Sequence, residues 1–239
     1  MTDLFFSRAR LRRDVPAAAL WRQLAPSDDS RRMQASHRLV WTLFADARDR
    51  TRDFLWREAD PGMFYFLSSR PPEDKHDLFH VDPPKLFEPA LRVGDTLGFS
   101  LRANATVARR RDGATGERSR GKPSDVVMDA LYRVPKGRER AEARQQAIAE
   151  AGKSWLCTRG AKSGFRLVDG GGGDEKRDCC VSSYRVMRPD ERDQRMRIGV
   201  LDFDGTLIVE NPELLVASIK LGFGRAKAFG CGLMMIRRI

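Results

Sequence analysis

The 239 residues hold 44 lysines and arginines against 33 aspartates and glutamates, a formal charge of +11 with a pI near 10.0. That excess points to a polyanionic partner, and on charge alone RNA, DNA and an anionic membrane all stay open. The length allows two compact domains or one larger one. No apolar run approaches the roughly 18 residues of a membrane span, and Leu4, Phe5 and Phe6 lead straight into Arg8, Arg10, Arg12 and Arg13 instead of a signal core. The expectation is a cytoplasmic protein without membrane association. Cys157, Cys179, Cys180 and Cys231 form no C-x-x-C pair and have no histidines at zinc spacing, which argues against a disulfide framework and a zinc site.

In chain order, residues 4–12 alternate with period two, placing Leu4, Phe6, Arg8, Arg10 and Arg12 on one strand face and Phe5, Ser7, Ala9 and Leu11 on the other. Two helical stretches are predicted at Pro16–Leu24 and about Arg31–Asp49, the second opened by Ser27, Asp28, Asp29 and Ser30 as capping candidates. Strands follow at Phe54–Arg57 and Met63–Ser69, then a proline-rich connection through Pro89 and a strand near Leu97–Val107. This first half reads as β-α-β-β-α-β with one helix poorly defined. Arg109–Lys122 carries six basic residues, two acidic ones and three glycines, a cationic connection that marks the domain boundary.

The second half opens with a long helix, about Arg138–Lys162, and continues in strands near Phe165–Val168, Cys179–Met187 and Met196–Val209, with a loop at Gly170–Gly173. A short helix capped by Asn211 and begun by Pro212 stops near Gly222, before a terminal strand Leu233–Arg238. Two halves of similar order predict an α+β fold of tandem ferredoxin-like (RRM-like) domains, 1–110 and 123–239.

The sharpest short motif, Asp202-Phe203-Asp204-Gly205-Thr206, imitates the D-x-D-G-T nucleophile motif of haloacid-dehalogenase-type phosphatases. That chemistry needs further carboxylates and a lysine downstream. Only 35 residues follow Asp204, with Glu210 and Glu213 as their sole acidic side chains. A strand explains the run better: Leu201, Phe203, Leu207 and Val209 share one face, Asp202, Asp204 and Thr206 the other, and Gly205 marks a bulge. The run Gly222–Gly232 holds Gly222, Gly224, Gly230 and Gly232 around Arg225 and Lys227, a composition that lets backbone amides and cations approach phosphate. It leaves a helix and enters a strand, so it is no dinucleotide fingerprint. Taken by itself, it fits a structural turn equally well. His37 shares a helical face with Met33, Val40 and Phe44, which by default makes it a core residue. His76 and His80 read as structural or solvent-facing.

The stretch Val200–Leu233, with its apolar strand, Asn211-Pro212, helix and G-x-G-R-x-K-A-F-G-C-G-L loop, resembles the C-terminal signature of the CasE family. These are the repeat-processing ribonucleases of type I-E CRISPR systems, within the RAMP superfamily. Phe99-Ser100-Leu101-Arg102-Ala103-Asn104 is similar to the family's F-x-L-R-A-N strand, and Trp155-Leu156 with Gly164-Phe165 to its W-L…G-F helix end. His37 stands where the family keeps its catalytic histidine, whereas Gln34 replaces a tyrosine found one turn earlier in the best-known members.

The resemblance implies two ferredoxin-like domains, a CRISPR repeat RNA hairpin as substrate, retention among the other Cascade subunits, a monomer outside that complex, and neither metal nor cofactor. It implies attack by a ribose 2′-hydroxyl to give a 2′,3′-cyclic phosphate, with His37 moving the proton; an imidazole's ordinary pKa near neutrality suits the task. Arg102, Lys162, Gly222, Gly224, Arg225, Lys227, Gly230 and Gly232 are the expected RNA contacts, Lys162 and Lys227 also the candidates for charge stabilisation at the phosphate. The rival readings are a catalytically inactive RNA-binding subunit of the same complex and the phosphatase.

Overall fold

A computed structural model describes residues 3–14, 24–44, 51–108, 123–168, 179–188 and 197–239. The expected helix Pro16–Leu24, the connection Arg109–Lys122 and the loop Gly170–Gly173 lie mostly or wholly outside these residues. The chain forms an α+β fold with two main antiparallel sheets. Two compact units interleave along it. One takes residues 1–90, 186–198 and 218–234, the other residues 91–185, 199–217 and 235–239.

In the first unit, β1 (Phe5–Leu11), α1 (Asp29–Thr42), β2 (Phe54–Asp60), β3 (Met63–Ser68), β4 (Phe79–Val81) and β5 (Lys85–Leu86) follow in turn. The sheet runs β2-β3-β1-β4, and β5 also pairs with β1. Alternation on β1 holds as read: Ser7, Ala9 and Leu11 are buried, Arg8 and Arg10 face outward. Their partners across the ladder are Phe66 for Ser7 and Phe64 for Ala9, both buried, so one face of the sheet is aromatic. Against it α1 lays Leu39 and Val40, and Phe44 follows; Phe44 and Phe54 stack at 4.1 Å between ring centroids. Each such ring taken out of water contributes roughly 1.5–3 kcal/mol.

Two expectations for the first half are corrected. No helix lies between β3 and β4; Pro71 and Pro72 remove helical donors, and Glu73 N–H instead bonds Leu43 O at 3.0 Å. The strand near 97–107 does not close this sheet. It divides at Asn104-Ala105 into β6 (Thr96–Ala103) and β7 (Thr106–Ala108), and β6 pairs with a strand about 100 residues on. The short pieces β4 and β5 take the edge of the first sheet, where prolines are tolerated.

The second unit continues with β8 (Pro123–Asp125), α2 (Val126–Ala130), a 3₁₀ turn Leu131–Arg133, α3 (Arg138–Ala161), β9 (Phe165–Leu167), β10 (Cys180–Met187), β11 (Ile198–Val209), α4 (Pro212–Leu221), a 3₁₀ turn Lys227–Phe229 and β12 (Met234–Arg238). Several of these elements extend into the first unit. The sheet order is β10-β11-β6-β12, with β9 also on β11. From Leu201↔Ala103 to Ile208↔Thr96 the register is unbroken, so Gly205 marks no bulge; a glycine still supplies both backbone partners of the ladder. Trp155 of α3 stacks on Phe203 at 5.9 Å. The helix comes this close to the sheet through Gly152, where a Cβ would stand 2.7 Å from Val181 Cγ2.

Candidate functional site

Helix α1 starts where Asp28 stays extended and its carboxylate accepts the Arg31 N–H at 2.8 Å. Met33, Ser36, Leu39 and Val40 are then buried, and Ser36 Oγ donates to Glu58 Oε2 at 3.0 Å. His37 falls beside this buried stripe and is half-buried, one turn after the likewise half-buried Gln34. Its Nδ1 lies 2.7 Å from Ala228 O, and its ring sits 5.4 Å from that of Phe229. A carbonyl oxygen can only accept, so Nδ1 carries the hydrogen. In the neutral ring Nε2 therefore keeps its lone pair, ready to take a proton; in the cation it can give one. The default reading as a core residue thus gives way to an oriented imidazole at the edge of the core.

Ala228 O also accepts from Trp56 Nε1 at 3.2 Å, so one carbonyl ties the glycine-rich loop to both α1 and β2. The loop reaches this position through left-handed residues: Ala226 at φ +53° before the 3₁₀ turn and Gly230 at φ +74° after it. A Cβ on Gly230 would lie 3.0 Å from Trp56 Cζ3, one on Gly222 2.8 Å from Leu55 Cδ1, and one on Gly232 2.9 Å from Phe223 O. The protein itself thus requires these three glycines. Gly224 is also left-handed, at φ +76°.

Arg225 is exposed on the loop. Lys227 is half-buried, and its ammonium donates to Leu221 O at the C-terminal end of α4, where a cation complements the helix dipole. Burial and the nearby charge of Arg52 push the Lys227 ammonium below the usual lysine range. Arg52 precedes β2, and its half-buried guanidinium has a fully enclosed Nη1 with no hydrogen-bond partner. No motif draws attention to Arg52, Trp56 or Ala228; only the fold brings Trp56 and Ala228 to the histidine and the charge of Arg52 to bear on Lys227.

Arg102 and Lys162 belong to the second unit. Arg102 Nε bonds Asp202 Oδ1 at 2.7 Å, while Asp202 Oδ2 accepts from Arg185 at 2.9 Å and from Ser183 Oγ at 2.8 Å. Burial pushes the Asp202 carboxyl up, but these bonds and the two guanidinium charges outweigh it and hold the group below the usual carboxylate range. A carboxylate so engaged is no free nucleophile, which removes the geometric basis of the phosphatase reading. The F-x-L-R-A-N motif is explained by packing: Phe99, Leu101 and Ala103 are buried, and Asn104 Nδ2 donates to Gly199 O at 2.7 Å. Lys162 is exposed at the C-cap of α3. Gly164, at φ +76°, lets its carbonyl accept from both Glu210 N and Asn211 N at 2.9 Å. Among the described residues no group of three His, Cys, Asp or Glu side chains could hold a metal, and no helix is long and apolar enough to cross a membrane.

An α+β chain with an oriented histidine under a cationic, glycine-rich loop falls within the CRISPR-associated protein family, whose model matches residues 4–238. The CRISPR-associated endoribonuclease Cse3 of Thermus thermophilus is 31% identical over 160 residues, 65% of this chain and 62% of that protein; the match thus spans less than two thirds of this relative's length. The Cascade subunit CasE of Escherichia coli is 25% identical over 87% of this chain and 92% of its own. A solved structure of Cse3 bound to a 19-nucleotide RNA superposes with a TM-score of 0.65 over 98% of this chain and 99% of that one, at 23% identity. The chain belongs to the CRISPR-associated Cse3/CasE family.

Proposed function

We infer that this protein is an endoribonuclease that cuts the repeat hairpins of CRISPR precursor RNA and keeps the product as a Cascade subunit. The observation that carries the reading is the His37 imidazole, turned by Ala228 O so that Nε2 is available for proton transfer. The ribose 2′-oxygen forms a bond to phosphorus, the bond to the 5′-oxygen breaks, and the products are a 2′,3′-cyclic phosphate and a 5′-hydroxyl. One proton leaves the 2′-oxygen and one arrives at the 5′-oxygen, with Nε2 of His37 as a transfer group. In this reading Arg225 and Lys227, with the amides around Gly224, meet backbone phosphates; the exposure of Arg225 on the loop supports it. Lys162 is a further contact proposed on the second unit; Arg102 acts there through its hold on Asp202.

Each sheet fits a ferredoxin-like domain: the orders β4-β1-β3-β2 and β12-β6-β11-β10 follow the same split β-α-β scheme, the second domain opening at β6. Gln34 favours the alternative of an inactive RNA-binding subunit, since an amide neither takes nor gives a proton at neutral pH. Purified protein, its host's repeat RNA and EDTA distinguish the two. Cleavage to a cyclic phosphate end supports the nuclease; tight binding without cleavage supports the alternative.

A further inference from the structure

The compact unit that holds His37 also holds an arginine that, among the described residues, meets no anion. Arg52 Nη1 is enclosed by protein and meets no acceptor, and among the described residues no carboxylate pairs with Arg52 or Lys227. Burial disfavours the Arg52 guanidinium, and its charge bears on Lys227. Two like charges brought together at partial burial oppose folding unless something neutralises them. Lys227 opens the 3₁₀ turn whose next residue, Ala228, holds His37. An anion that met both cations would come beside the turn whose carbonyl holds the imidazole.

We propose that Arg52 is a catalytic residue that binds the scissile phosphate, its half-buried guanidinium donating to a non-bridging oxygen while Lys227 adds a second charge and His37 moves the proton. This rests on the endoribonuclease reading above. The chemistry matches the need, because attack by the 2′-oxygen concentrates negative charge on the non-bridging oxygens. A partly desolvated guanidinium that meets no carboxylate among the described residues strengthens its hydrogen bond as that charge builds. Arginine suits the position better than lysine because it stays charged when desolvated and its planar fork fits two phosphate oxygens.

The test uses Arg52→Ala and Arg52→Lys in the full chain, on the host's repeat RNA and on the same hairpin with a 2′-deoxy nucleotide at the cut, which binds without reacting. Single-turnover cleavage by Arg52→Ala is expected to fall by about 10²-fold, with Arg52→Lys intermediate. The melting temperature of Arg52→Ala should stay at or above wild type, since among the described residues no ion pair of Arg52 is lost. The slope of log K against log salt on the 2′-deoxy hairpin should shrink by about 0.7–0.9. Wild-type cleavage and affinity in Arg52→Ala overturn the proposal while leaving the nuclease reading intact. If wild-type protein binds but does not cut, the nuclease reading fails alone, and the slope still decides whether Arg52 meets a phosphate. An Arg52→Ala protein that melts well below wild type, with Arg52→Lys fully active and stable, assigns the residue to folding and also overturns it.

Discussion

His37 Nδ1 and Ala228 O, 191 residues apart in the chain, meet at 2.7 Å, and this bond fastens the glycine-rich loop and, in the mechanism proposed above, orients the imidazole to carry a proton. His37→Ala should therefore show two effects of different size. Losing a general acid or base slows single-turnover cleavage by about 10²–10⁴-fold. Losing the hydrogen bond costs about 1 kcal/mol of stability, because Trp56 keeps its own bond to the same carbonyl. Cleavage rate, hairpin affinity and urea unfolding on one preparation separate the chemical effect from the structural one. Wild-type cleavage in the variant would remove His37 from the mechanism.

Gly230→Val is expected to damage the fold before it damages RNA contact. The residue sits at φ +74°, and a Cβ there already stands 3.0 Å from the Trp56 ring. Left-handed backbone with a β-branched side chain and an overfilled contact together cost roughly 2–4 kcal/mol. A shifted urea midpoint checks this; unchanged stability with lost RNA binding would return the glycine to a purely RNA-facing role.

Salt dependence should come from the loop more than from β1. Arg8 and Arg10 both pair with Asp82, and Arg12 pairs with Asp14 and Asp77, so the basic face of that strand is largely neutralised within the protein. Arg225→Ala should lower the salt slope of hairpin binding by about 0.7–0.9, and Arg10→Ala should leave it nearly unchanged. Equal effects from both would place the strand on the RNA.

Asp202→Ala should destabilise the protein by up to roughly 3–5 kcal/mol, since it removes the buried carboxylate that the Arg102 and Arg185 guanidiniums share. The native carboxyl titrates below its ordinary value of 3.8, so the stability it contributes is present above that pH and is lost as pH falls through the lowered native value. Acid unfolding monitored by circular dichroism should lose this contribution in the variant. Asp204→Asn, by contrast, keeps an amide oxygen able to accept the 3.1 Å bond from Ser182 Oγ and should leave RNA cleavage intact; a well-folded, RNA-binding variant that no longer cuts would reopen the phosphatase-like reading.

Gln34→Tyr examines the position one helical turn before His37. If the absent phenol limits the reaction, this variant cuts faster than wild type in single-turnover assays; an unchanged rate shows that the chemistry proceeds without it.

Local signals decided much of what the chain could say about itself. Alternation on β1 and β11, the Asp28 and Asn211 caps and the Gly-rich run all act over a few residues, so strand faces, helix starts and the family signature are readable in order along the sequence. Pairing is different in kind. That β6 leaves the first half for β11, that Asp202 is held by two arginines instead of acting as a nucleophile, and that Gly230 turns against Trp56 all depend on contacts between distant residues. Strand partners and buried ion pairs are selected by the whole packed core, where residue type alone leaves several partners equally good. The histidine could be named from its place in a family pattern. Its tautomer, its carbonyl anchor and the arginine whose charge bears on Lys227 exist only once the chain closes on itself, because each is a relation between groups far apart in the sequence that packing brings together.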